Sequence, residues 1–154
     1  MTLYEKQQRL LDDFLVIPDA QERLATIVAR AARSPALTSD ERIRPNRVPA
    51  CGSTVWLIVD LAPETRRLRV RSDAESPLIK GLVALLCELY DDSAPGEAAT
   101  FQSELLEKLQ ITQNLSLTRR NGLAAVQTLI GKKAEKLKSV MDGENPNSKT
   151  PNSK

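Results

Sequence analysis

Apolar positions along the chain follow two periods, one helical and one of two. Leu3, Leu10, Leu11, Phe14 and Leu15 recur at helical spacing, and Thr2 with Glu5 frames the start as a capping box. A helix is expected over about 3–15, ending at Ile17-Pro18. Asp19 and Glu22 repeat the capping pattern, and Leu24, Ile27, Val28 and Ala31 give a second amphipathic helix that stops before Ser34-Pro35. Residues 36–47 are polar and irregular, with one short turn at 38–41. From Thr54 to Leu61 the pattern changes to a β-branched run that is apolar on both faces, which reads as a central strand. After a turn at 62–65, Leu68 and Val70 alternate with Arg67, Arg69 and Arg71, as on a half-buried strand. The two strands form an antiparallel hairpin, and the Val48 segment can add a short third strand.

Ser76 and Pro77 suit an N-cap and the first position of a helix. The segment that follows, through Leu89 and Tyr90, is apolar nearly all round and is expected to be the most buried helix. Residues 91–96 break the chain. A short helix is expected over 100–109 with Phe101, Leu105, Leu106 and Leu109 inward, and 111–117 reads as a loop. Thr118 then caps a last helix through about Val140, with Leu123, Val126, Ile130 and Leu137 as its stripe and Lys132, Lys133, Lys136 and Lys138 outside. The end of the chain, DGENPNSKTPNSK, is polar and low in complexity, so 1–140 is expected as one domain and 141–154 as a disordered tail. Helices, then strands, then helices indicate an α+β fold: a small antiparallel sheet of two or three strands packed against helices.

Composition narrows the chemistry more than the fold. The chain of 154 residues is long enough for a real core, and its net charge of +2 is too small to imply nucleic acid. Five aromatics in all, none interleaved with the arginine row, leave no stacking platform for single strands. No apolar run approaches the ~20 residues of a membrane span, and the N-terminal residues show no apolar signal region, so a cytoplasmic protein is expected. With no histidine, neither a Ser-His-Asp nor a Cys-His device can be built, and two cysteines are too few for an ordinary zinc site. No glycine-rich phosphate loop occurs.

Only one residue has a chemical setting. Cys51 sits in NRVPACGSTVW, residues 46–56, between Pro49 and Gly52 in a turn that leads into the strand. Arg42, Arg44 and Arg47 precede it, and a nearby cation favours the nucleophilic thiolate. The same arginines can instead be solvated surface. Cys87, inside the apolar helix, reads as a small core hydrophobe. The arginine row has two readings, a charged edge that resists aggregation or a docking face for an acidic partner.

Asn46, Val48, Cys51, Ser53, Val55 and Trp56 fall on the pattern N-x-V-x-G-C-x-S-x-V-W, and here the chain resembles the SufE family of sulfur acceptors. Weaker matches follow in order: Ser72-Asp73-Ala74, Lys80-Gly81, Pro95, Leu115-Ser116, and Arg119 with Asn121-Gly122-Leu123. Together they cover about residues 3–140. Ala50 stands where the family usually has Gly, Leu117-Thr118 replaces a usual Pro-Ser, and Asn114 lies where His is common.

The resemblance implies a fold shared with IscU-type scaffolds and a role in iron–sulfur cluster assembly. Cys51 would be the catalytic residue, carrying a cysteine persulfide taken from a SufS/CsdA-type cysteine desulfurase. That sulfur would pass to a SufBCD-type scaffold, and its acceptance would stimulate the desulfurase. Arg119, Asp73, Gly52 and Ser53 would support the thiol or the partner surface, with Trp56 in the core. The chain would need no cofactor of its own, since the desulfurase carries pyridoxal phosphate. Such a protein is a sulfur-transfer accessory rather than a stand-alone enzyme. Two other readings of the residues stay open: a thiol redox sensor at Cys51, and a non-catalytic adaptor that binds through Arg67, Arg69 and Arg71.

Overall fold

The computed structural model describes residues 1–49 and 52–144; Ala50, Cys51 and the segment 145–154, most of the expected tail, lie outside the described residues. The chain forms α1 (Leu3–Leu15), α2 (Ala20–Ala32), β1 (Val55–Leu61), β2 (Leu68–Ala74), α3 (Pro77–Tyr90), α4 (Pro95–Thr100), α5 (Leu105–Lys108) and α6 (Leu117–Glu144). This is the α+β arrangement read from the sequence. The sheet is the two-stranded antiparallel hairpin β1-β2, with Val55 opposite Ala74 and Leu61 opposite Leu68. The Val48 segment adds a single bridge, Arg47 to Trp56, rather than a third strand.

The register puts Val55, Leu57, Leu68 and Val70 on one buried face. The pleat turns Trp56, Ile58 and Asp60, opposite Asp73, Arg71 and Arg69, to the other face. The buried face rests on α3, which also meets α2, while α6 covers β1 and α4. Leu82, Val83, Leu86 and Leu89 of α3 are all fully enclosed, so the helix that is apolar on every side is the centre of the molecule. Gly81 lets α2 approach it, because a Cβ there would come 2.9 Å from the Val28 Cα.

The helix ends follow their side chains. Thr2 and Glu5 form the expected capping box, with Thr2 N–H donating to Glu5 Oε1 at 2.8 Å and Glu5 N–H to Thr2 Oγ1 at 3.1 Å. Asp19 caps α2 through Gln21 N–H, and Ser76 caps α3. Three boundaries differ from the sequence reading. The expected helix 100–109 is two short helices: Pro95 occupies a first helical position and opens α4 inside the supposed break, and Phe101 is extended. Phe101 is held there by a hydrogen bond from Tyr90 Oη to its carbonyl, 3.2 Å, and by an edge-on ring contact with Tyr90 at 6.1 Å. The last helix starts two residues earlier than expected and runs through Glu144. Its stripe is Leu123, Val126, Ile130 and Ala134, with Leu137 half-buried.

Candidate functional site

The segment before the cysteine turn is fastened to the strand that follows it. A 3-10 turn at Arg44–Asn46 is held by Asn46 Nδ2, which donates to the Glu41 carbonyl at 2.8 Å. Arg47 then bridges to Trp56, and Val48 N–H donates to the Val55 carbonyl at 2.9 Å. Val48 is buried and Pro49 exposed. The turn between 48 and 55 therefore has a narrow, hydrogen-bonded neck.

On its far side the turn meets the start of α6. A Cβ on Gly52 would come 2.7 Å from Thr118 Cγ2, closer than side chains tolerate. The glycine is needed for room; among the described glycines none has a positive φ, so conformational freedom is not its reason. Thr118 is not the cap of α6, as the sequence suggested. That role falls to Ser116, whose Oγ accepts from Arg119 N–H at 3.2 Å and whose carbonyl accepts from Arg120 N–H at 3.0 Å. Thr118 is thereby free to face the turn.

Gly52, Ser53, Thr118 and Arg119 rim a cleft of about 200 Å³, and Ile79, Val83 and Leu123 line its apolar part. Three predicted site residues, Gly52, Ser53 and Arg119, thus come together from positions far apart in sequence. The first turn of α6, which carries Arg119, brings positive potential to this rim.

Asp73 does not join them. It is 4% exposed, so the expectation of a partner-facing residue is corrected. Its Oδ2 accepts from Leu37 N–H and from Arg42, both at 3.3 Å; its Oδ1 accepts from Ala74 N–H at 2.9 Å and pairs with Lys80 Nζ at 3.5 Å. A buried carboxylate needs such donors, and here they tie the segment before the turn to the end of β2 and the start of α3. Trp56, expected in the core, is half-buried on the outer sheet face.

Comparison with known proteins identifies the family and the fold. The SufE family of domains, described as an Fe-S metabolism associated domain, matches residues 8–134. The chain belongs to the SufE family. An uncharacterized SufE-like protein of Rhizobium etli is 28% identical over 130 residues, covering 82% of this chain and 88% of that one. The solution structure of a hypothetical protein from Thermus thermophilus superposes with a TM-score of 0.71 at 18% identity, over 87% of this chain and 96% of the other, and so shares the fold. Membership in the SufE family carries a general sulfur-carrier role in iron–sulfur metabolism.

The remaining candidates of this SufE domain have other duties. Cys87 is a free, buried thiol, pushed up to about 12 by burial, against which a hydrogen bond with Ser72 pulls weakly. It lines a second hollow of about 440 Å³, between α2, α3 and β2, together with Phe14, Ile27, Ala31 and Ala84. The arginine row is compensated within the chain. Arg67 pairs with Asp92, Arg69 pairs with Asp60 through two bonds of 2.9 and 3.1 Å, and Arg71 pairs with Glu41 at 2.7 Å. Glu41 is held below its usual range by Thr38 N–H and then by Arg71. Neither a free docking face nor a purely solvated row describes these side chains. Among the described residues no group of three His, Cys, Asp or Glu side chains is placed to hold a metal, and no helix is long and apolar enough to cross a membrane.

Proposed function

We propose that the protein accepts sulfur on Cys51 from a persulfide of a SufS/CsdA-type cysteine desulfurase and hands it to a SufBCD-type scaffold. The observation that carries this reading is the convergence of Gly52, Ser53 and Arg119, all around the predicted acceptor turn, on one small cleft. In the transfer step the Cys51 thiolate attacks the outer sulfur of the donor persulfide. A new S–S bond forms, the donor's S–S bond breaks, and its electron pair leaves on the donor thiolate. The proton stays on the outer sulfur, giving Cys51–S–SH with no net oxidation. No histidine or metal is required, because the attacking group is activated by ionisation alone. A positive rim supports that ionisation, and an apolar cleft suits a neutral sulfane sulfur better than water does.

The test mixes the protein with a pyridoxal-phosphate cysteine desulfurase and cysteine and maps added sulfur by peptide mass spectrometry. One extra sulfur on Cys51, none on Cys87, and faster desulfurase turnover are expected. An active desulfurase that leaves Cys51 unmodified would overturn the reading. Oxidation of Cys51 to a sulfenic acid without any desulfurase dependence would indicate the redox-sensor alternative instead.

A further inference from the structure

We propose that Thr118 is a positioning residue for the acceptor turn, acting through the one methyl group that it sets against Gly52. The inference rests on the reading of Cys51 as sulfur acceptor and adds what fixes the turn's distance from α6. Three observations carry it. The neck of the turn is fastened at Arg47 and Val48 on one side and at Thr54, whose carbonyl accepts from Glu75 N–H at 3.2 Å, on the other. Gly52 lies so close to Thr118 Cγ2 that even one added carbon would stand at 2.7 Å. Thr118 itself sits in the first turn of α6, which Ser116 caps at both its hydroxyl and its carbonyl.

The Thr118 backbone is held by the capped first turn of α6, and branching at Cβ leaves its side chain few χ1 rotamers; in the one adopted here the methyl is the stop. The stop is the methyl, not the hydroxyl. Serine at 118 would keep the hydroxyl and lose the stop. Valine would lose the hydroxyl and keep it. Alanine at 52 would force the turn and the Thr118 methyl apart by several tenths of an ångström, and with the helix backbone held by its cap the turn takes up the shift.

The experiment reads the rate at which iodoacetamide alkylates Cys51, by mass spectrometry, with buried Cys87 as an internal control for folding. Gly52→Ala should raise the rate about tenfold and Thr118→Ser about threefold, from the cost of overpacking and of a lost methyl contact. Thr118→Val should stay at the parent rate. In the double variant Gly52→Ala/Thr118→Ser the new methyl takes the space of the old one, and the rate should return to within about twofold of the parent, a strong departure from additivity. Cys87 should stay unmodified in all four, which shows that the core stays closed. Additive rates in the double variant, or Thr118→Val behaving like Thr118→Ser, would overturn the inference. Alkylation needs no desulfurase. Missing sulfur on Cys51 would therefore sink the acceptor reading alone, and additive alkylation with normal sulfur acceptance would sink the Thr118 inference alone.

Discussion

Two hollows among the described residues, set side by side, invert the usual guess that the larger one holds the chemistry. The groove beside Cys87 encloses about 440 Å³ and the cleft beside Gly52 about 200 Å³. Yet the groove's thiol is pushed up to about 12, so at neutral pH it is almost wholly protonated and a poor nucleophile. The smaller cleft has the opposite character: the exposed Gly52 on one side, a helix N-terminus and Arg119 on another, and an apolar wall behind. What separates the regions is the cost of a negative charge. Burial raises it around Cys87, and on the proposed reading the cationic rim lowers it at the cleft.

The largest effect expected from this contrast is an exchange of phenotypes between the cysteines. Cys51→Ser should lower sulfur acceptance at least ~100-fold, since a hydroxyl is not ionised at neutral pH, and should leave the urea midpoint where it is. Cys87→Ala should do the reverse, keeping acceptance while costing about 1–2 kcal/mol through lost packing beneath β2. Parallel transfer assays and urea titrations on both variants check it. Loss of acceptance in Cys87→Ala with an unchanged midpoint would break the contrast.

A second effect separates the regions by pH. In the folded chain the Cys87 thiol ionises near 12, against 9.0 for the ordinary thiol. Below pH 9 both folded and unfolded states hold the proton, and the full stability is present. Above it the unfolded chain releases the proton and the folded chain does not, so stability falls as pH rises toward the folded value. At about 1.4 kcal/mol per pH unit, about 2 kcal/mol should be gone by about pH 10.5. Tyr90, also raised to about 12 by burial, adds to the slope above pH 10. Urea midpoints between about pH 8 and 10.5 should show the decline, and Cys87→Ala should flatten its first part. An equal slope in that variant would mean that burial of Cys87 is not its source.

These differences also mark what could be read from residues alone. The hairpin, α1 to α3 and the apolar stripe of α6 were legible because burial writes period and β-branching directly into the chain. Pro95 was misread: proline breaks a helix it follows and opens one it precedes, and the second use prevails here. Asp73 could not be placed, because its burial depends on Leu37, Arg42 and Lys80 arriving from other elements. Gly52 was singled out for its backbone freedom, but the reason is Thr118, which lies far along the chain. Ser116 and Thr118 are both good capping residues, and only the hydrogen bonds distinguish the cap from the neighbour of the turn.

Arg119 sharpens the contrast at the cleft itself. If its guanidinium lowers the cost of a thiolate on the turn, Arg119→Ala should slow sulfur acceptance about tenfold at neutral pH, the worth of about one pKa unit. The deficit should shrink as pH rises and the thiol ionises unaided. Arg119→Lys should recover most of the rate, since a point charge suffices for this role. A deficit that is constant with pH would mean that Arg119 contacts the partner rather than tuning the thiol. The pH profile of sulfur acceptance for the three proteins decides between them.

The smallest effect is expected at the arginine row, and its smallness is the point. Arg69 and Asp60 face each other across the hairpin through two hydrogen bonds, but both side chains are well exposed, at 47% and 39%. Water and salt screen such a pair, so Arg69→Ala should leave the urea midpoint nearly where it is. Because the charge is already answered inside the chain, its removal should not weaken a partner that docks at the cleft. An adaptor that bound an acidic protein through this row would behave differently. It would have to break the Arg69–Asp60 pair to bind, and would lose affinity when Arg69 is removed. Sulfur acceptance titrated against desulfurase concentration reads this directly. An unchanged half-saturation point in Arg69→Ala and in the reversed pair Asp60→Arg/Arg69→Asp places recognition away from the row. A several-fold rise in either would move the docking surface onto the sheet's outer face and away from the α6 rim.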